Sequence, residues 1–135
     1  MSISLSGVNS DNIDTVWDSI LPLIQSATDQ SGENPEKIRA ALLAKKAQLV
    51  IAVSDEGIEA VCVTELLTIE SRQVCNIWLV AGRNRENWLH YLDQIEAWAK
   101  VKGCAAVRES GRMGWQEALK SKGYRAVRVV MEKEI

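Results

Sequence analysis

Residues 49–81 read LVIAVSDEGIEAVCVTELLTIESRQVCNIWLVA, and this stretch decides the fold. Leu49–Val53 is an apolar, β-branched run, too short for a helix and well suited to a strand. Asp55, Glu56 and Gly57 form a turn signal, because Asp caps its own backbone and Gly tolerates a left-handed conformation. Ile58–Ile69 is rich in Val, Thr, Ile and Leu and reads as a long strand. Glu70, Ser71 and Arg72 turn the chain back, and Val74–Ala81 is a third strand. Three strands joined by short turns make an antiparallel meander.

Working outward toward the N-terminus, the hydrophobic period changes from two to 3.6. Ile13, Val16, Trp17, Ile20, Leu21 and Ile24 recur at helical spacing and predict an amphipathic helix to about Ala27. The polar cluster Asn9–Asn12 supplies capping side chains for it. Pro22 inside the pattern calls for a kink or a split. Asn34, Pro35 and Glu36 then start a second helix: a capping residue, a proline at the first helical position and an acid at the positive dipole end. Its stripe is Ile38, Leu42 and Leu43, ending near Lys46. Ahead of both helices, Ile3, Leu5 and Val8 alternate with Ser and Gly as a short first strand.

Toward the C-terminus, the polar loop Gly82–Arg85 leads into a helix with Trp88, Leu92, Ile95 and Ala99 on one face and Trp98 beside it. Gly103 is its natural stop. Ala105–Val107 is a short buried strand, Ser110–Gly114 a loop, and Trp115–Lys122 a short helix closed by Gly123. Val127, Val129 and Met131 alternate against Arg128 and Glu132, so Tyr124–Glu134 reads as a closing strand. The order β-α-α-β-β-β-α-β-α-β describes one α/β (α+β) domain over residues 1–135. It predicts a three-layer α/β/α arrangement around a mixed, mostly antiparallel sheet of about six strands. Neither a helix bundle nor a doubly wound sheet places three consecutive strands this way.

Composition narrows the function classes. The chain has 135 residues, 47% hydrophobic and 25% charged, with no Phe and five Trp. The net charge of -2 carries no basic stripe of the kind that neutralises phosphates, so no nucleic-acid partner is expected. No apolar run approaches a membrane span, and Met1–Asn9 lacks the pattern of a secretion signal. Cys62, Cys75 and Cys104 are odd in number and lack zinc-site spacing, which suggests free thiols in a reducing cytoplasm and no metal. There is no Walker loop or dinucleotide fingerprint.

The element order over essentially the whole chain resembles the GNAT superfamily of acyl-CoA N-acyltransferases. The likeness is clearest where strand Val74–Ala81, loop Gly82–Arg85 and helix Glu86–Lys102 match that family's cofactor strand, pyrophosphate loop and central helix. Trp115–Tyr124, ending in Gly-Tyr before a last strand, is similar to the family's closing Gly-Phe helix. The chain also resembles small GNAT-like proteins of tailed bacteriophages, some of which belong to the virion. The resemblance implies acetyl-CoA as the cofactor and an amine as acceptor. It implies that backbone groups of Ile77, Trp78, Leu79 and Val80 flank the pantetheine arm. Gly82, Arg83, Asn84, Arg85, Glu86 and Asn87 would surround the pyrophosphate, at a helix start suited to anions.

Two departures accompany the likeness. The loop Ala-Gly-Arg-Asn-Arg-Glu-Asn at 81–87 has one glycine where the family pattern has more. Arg83 and Arg85 can pair with phosphate directly, whereas Glu86 repels it. The family's proton-donating Tyr, four residues before the Gly of Gly-Phe, corresponds to Leu119 here. A base for the attacking amine is needed, usually a carboxylate. Glu65, mid-strand in the meander, and Glu109, at the end of the strand after the central helix, are the candidates. The alternative for each is an exposed strand carboxylate. Gly111–Trp115 reads either as a shaped loop at a cleft edge or as a helix entry. His90 has no nucleophile or orienting acid in its context. The departures also fit a second expectation: a GNAT-like fold without catalysis that serves as an interaction or virion protein, with a protein partner or a second copy of itself.

Overall fold

The computed structural model describes residues 3–82, 85–110 and 116–135, with the backbone alone for residues 85–89. Among these residues five strands lie in spatial order β1-β2-β3-β4-β5. They are β1 (Ser4–Val8), β2 (Gln48–Ser54), β3 (Gly57–Ile69), β4 (Arg72–Gly82) and β5 (Ala106–Glu109). The first three junctions are antiparallel and β4 pairs β5 in parallel. The meander is as expected. Ser54 opposes Gly57 at the first turn, and Glu70 and Ser71 both take positive φ in the two-residue turn between Ile69 and Arg72. Two successive left-handed residues match the right-handed twist of a hairpin.

The described residues form four α-helices: α1 (Ile13–Ser31), α2 (Pro35–Leu43), α3 (Arg85–Val101) and α4 (Gln116–Lys120). Pro22 neither splits nor ends α1, which is continuous across it. Pro22 and Asp18 are both exposed, so the carbonyl that loses its helical partner faces solvent. The Asn9–Asn12 cluster forms a 3-10 turn at Ser10–Asn12, and Asn12 caps α1 without a side-chain bond. Asn34 does cap α2: its Oδ1 accepts from the Glu36 N–H at 3.0 Å. That helix stops at Leu43, before the expected Lys46. Lys45 takes φ 62°, and its N–H and that of Lys46 donate back to Leu42 and Ala41, a Schellman ending made without glycine.

The helices divide the core into two. On one face α1 and α2 bury Ile13, Trp17, Ile20, Ile24, Ile38 and Leu42 against Leu49, Val61, Val63, Leu79 and Ala81. Each fully buried aliphatic there contributes roughly 1.5–3 kcal/mol by leaving water. On the other face α3 packs Tyr91, Leu92, Ile95 and Ala99 on Ala52, Ala60, Cys62, Cys75 and Ile77. Cys62 and Cys75 are buried in this second layer, Cys104 is half-buried, and all three are free thiols. Burial pushes the Cys75 thiol up to about 11, and the Cys62 thiol higher still.

The closing strand does not form. Residues 124–135 carry no regular secondary structure, and the sheet has five strands where about six were expected. The alternation of Val127, Val129 and Met131 is genuine strand patterning, but pattern alone does not provide an edge to pair with.

Candidate functional site

The site expected from the sequence lies where β4 outruns β5. β4 has 11 residues and β5 has four. Their pairing begins at Val74–Ala106 and ends at Ile77–Glu109. Past Ile77, β4 continues to Gly82 with no β5 partner among the described residues, so a gap opens beside residues 78–82. The register of β4 against β3 slips at the same point: Val63 faces Leu79 and Thr64 faces Ile77, leaving Trp78 as the extra residue of a bulge. A bulge withdraws backbone groups from the ladder and re-aims side chains, and this one falls where the two strands part.

Gly82 ends β4 with a packing reason of its own. A Cβ there would lie 2.6 Å from Ala60 Cβ and 2.7 Å from the Glu59 carbonyl oxygen. Close approach to β3 therefore demands glycine, whatever approaches from the gap. Helix α3 begins at Arg85, three residues later, which directs its positive dipole end toward the gap mouth. Arg83 and Asn84 lie outside the described residues, as do the side chains of Arg85, Glu86 and Asn87. Gly111–Trp115 lies outside them too, and so does the side chain of Trp88.

The two candidate bases are separated by the sheet. Glu65 opposes Asn76, on the α1/α2 face, and its Oε1 accepts from Asn76 Nδ2 at 3.1 Å. Glu109 ends β5 beside Ile77, on the α3 face, at the apex of the gap. It is half-buried, and no donor or cation pairs with it among the described residues. Desolvation pushes its carboxyl above the ordinary carboxylate range. Of the two, Glu109 has the freer lone pairs among the described residues.

Two features escaped sequence reading. Bulged Trp78 turns its indole to the α1/α2 face, where Nε1–H donates to Glu33 Oε2 at 2.9 Å and Lys37 sits 5.9 Å from the ring. This ties the α1–α2 connection to the strand beside the gap. On the opposite face the Tyr124 hydroxyl donates to Glu96 Oε2 at 2.8 Å. Burial, Glu96 and then Glu109 hold that phenol far above its usual range. Both partnerships join residues remote in sequence, and neither has a local motif. Only the Gly-Tyr ending of α4 pointed at Tyr124. Leu119 packs against the α3 layer and offers no titratable proton. His90 is exposed, while Trp17 is core and Trp98 packs on the α3 cluster.

A cavity of about 990 Å³ adjoins the apex. β5, α3 residues Glu96 and Ala99, the α4 end and the tail Tyr124–Val130 enclose it, with Glu109 among its lining. No metal-ligand cluster exists among the described residues, and no helix there is long and apolar enough to cross a membrane.

No protein-family model and no curated protein matches the chain. Solved structures do. An aminoglycoside acetyltransferase from an uncultured soil metagenomic sample, in complex with sisomicin, superimposes with TM-score 0.72 at 9% identity, covering 98% of this chain and 96% of that one. A second soil-metagenome aminoglycoside acetyltransferase matches with TM-score 0.72 at 16% identity, over 100% and 98%. The ribosomal-protein-alanine N-acetyltransferase of Brucella melitensis biovar Abortus 2308 gives 0.70 at 8%, over 99% and 100%. The fold is therefore the GNAT-like mixed α/β fold of these acetyltransferases. At such identities the likeness concerns architecture, and chemistry rests on the site.

Proposed function

We propose that the chain binds acetyl-CoA and transfers its acetyl group to an amine. The observation that carries this reading is the parting of β4 from β5 at Ile77–Glu109, coincident with the bulge at Trp78 and followed directly by the start of α3. The gap suits an extended pantetheine arm alongside Ile77–Val80. The α3 start, with Arg83 and Arg85, suits a pyrophosphate. In this reading Glu109, directly or through water, takes the proton of the attacking amine. Desolvation raises its basicity, which favours that role. A backbone N–H near Leu79 stabilises the developing oxyanion. Glu65, already engaged by Asn76, is the weaker candidate. With Leu119 in the donor position, the thiolate takes its proton from solvent, and transfer is slower than in an enzyme with a Tyr there. The setting is cytoplasmic, in line with three free thiols.

The test is calorimetric titration with acetyl-CoA, beside an Arg83→Ala/Arg85→Ala variant. Micromolar binding, weakened at least tenfold in the variant, is the expected result. Absence of heat at millimolar ligand ends the proposal. A second reading is a fold retained without transfer, serving as an interaction or structural protein such as a phage virion component. It draws on Leu119 and on Gly82, whose glycine is already accounted for by Ala60. Acetyl-CoA binding without turnover on any amine of a broad panel favours that reading.

A further inference from the structure

The cavity beside the gap is unequal in charge. It encloses about 990 Å³, at the upper end of the roughly 300–1,000 Å³ of small-ligand pockets. Two carboxylates line it, Glu96 and Glu109, and Glu96 already accepts from Tyr124. Against them the lining sets Arg72, Lys100, Arg108, Arg125 and Arg128. None of these five has a carboxylate partner among the described residues. Lys120 and Lys122 also line it, but they are paired with Glu117 at 3.6 Å and Asp93 at 3.5 Å. A concave wall with an excess of one sign focuses its field and concentrates ions of the other.

The charges are also ordered along the cavity. Glu109 stands at the apex, paired in register with Ile77. Arg72 begins β4, five residues before Ile77, and Lys100 stands one residue short of the end of α3. At about 3.4 Å per strand residue, Arg72 lies roughly 17 Å from the apex. Arg125 and Arg128 are on the tail wall. A ligand that matches this order carries one positive group at the apex end and negative groups along the rest.

We infer that the acceptor is an acidic peptide segment with a free amino terminus: its amine sits at Glu109 and its carboxylates run toward Arg72 and Lys100. The inference rests on the acetyl-transfer reading for its chemistry, and on the cavity alone for its binding. Arginine takes a carboxylate through two parallel N–H donors. Roughly five extended residues, at about 3.3–3.6 Å each, cover the distance. In the transfer the amine nitrogen bonds to the thioester carbonyl carbon and the C–S bond breaks, its electron pair going to sulfur. Glu109 takes the amine proton, and solvent protonates the thiolate. A polycationic acceptor meets like charge along the same wall and is disfavoured.

The experiment is anisotropy titration of the full chain, without acetyl-CoA, against the peptide Ala-Glu-Asp-Glu-Asp beside Ala-Lys-Arg-Lys-Arg. Each has a free amino terminus and a fluorophore at the other end. The acidic peptide is expected to bind tighter by roughly tenfold or more, with an advantage that shrinks in added salt. Arg72→Glu/Lys100→Glu, at two exposed positions, is expected to abolish that advantage. Equal binding of the two peptides overturns the inference, and so does a charge-reversed variant that binds the acidic peptide unchanged. Displacement of the peptide by acetyl-CoA assigns the cations to the cofactor. Displacement by a single-stranded oligonucleotide of equal charge means that the wall reads charge alone; both overturn the inference. Should the variant not fold, Arg125→Ala/Arg128→Ala in the exposed tail takes its place, with the acidic peptide expected to bind more weakly. Mass spectrometry after incubation with acetyl-CoA then reads the chemistry. Acetylation of the acidic peptide in preference to the basic one supports the inference. An unmodified acidic peptide, with acetyl-CoA bound in calorimetry, overturns it. Absence of acetyl-CoA binding removes the transfer reading and not the acidic-peptide site, which the titration decides.

Discussion

The two sides of the sheet are built differently. On the α1/α2 side, Ile13, Trp17, Ile20, Ile24 and Ile38 are all but inaccessible, closed between the two helices and Leu49, Val61, Val63, Leu79 and Ala81 of the sheet. On the C-terminal side, β5 is short and half-exposed, α4 has five residues, and the tail is open. The first region carries stability. Among the described residues, the second carries the gap, a carboxylate with no partner and a sheet edge with no added strand. A site needs approachable backbone and incompletely satisfied groups, and a packed core removes both.

The contrast can be broken most strongly at its closed side. Ile20→Ala should cost about 2–5 kcal/mol, read as a lowered denaturant midpoint, since a cavity opens where nothing can collapse. Gly82→Ala should follow, at about 1–3 kcal/mol, because the new methyl meets Ala60 and the Glu59 carbonyl. If it is neutral, the close approach of β3 and β4 is not a constraint. Tyr124→Phe removes one half-buried bond to Glu96 and should cost about 0.5–1.5 kcal/mol in thermal or urea unfolding.

Glu109 sharpens the comparison through pH. Burial raises its folded value above its unfolded one, so the folded state holds the proton more tightly. Its unfavourable contribution is fully present above the raised folded value. It is relieved as pH falls through that value toward the ordinary carboxylate range. Glu109→Gln should therefore raise the melting temperature at neutral pH, with the difference shrinking on acidification. If Glu109 is the base, the same variant lowers turnover and leaves acetyl-CoA affinity unchanged. The smallest effect belongs to the open side. Val129→Ala should change the stability of an isolated chain by less than about 0.5 kcal/mol, and a larger loss that grows with concentration would locate the tail in an interface.

Most of the fold was legible because it is written in local periods. The meander at 49–81, the Asn34 cap and the two helical stripes each follow from neighbours within a few residues, where propensity and burial agree. Ile77–Val80 were singled out through likeness of layout, and the structure has β4 and β5 part at Ile77. The misreadings have a common origin. Lys45 ends α2 early by taking a conformation more usual for glycine. Of the two expectations at Pro22 the split does not occur, because that face of α1 is solvated. The tail is patterned as a strand but has no partner, and a strand exists only when another backbone completes its hydrogen bonds.

The sequence by itself determined the element order, the two apolar helix faces, the meander and the identity of the chemically capable residues. Only the tertiary structure decided how they meet. It put Glu65 and Glu109 on opposite faces, joined Trp78 to Glu33 across 45 positions and Tyr124 to Glu96 across 28, and placed the bulge at Trp78. The physical reason is range. Periodicity and capping act over one or two turns of chain, whereas register, desolvation and long-range hydrogen bonds depend on which distant segments the sheet brings together.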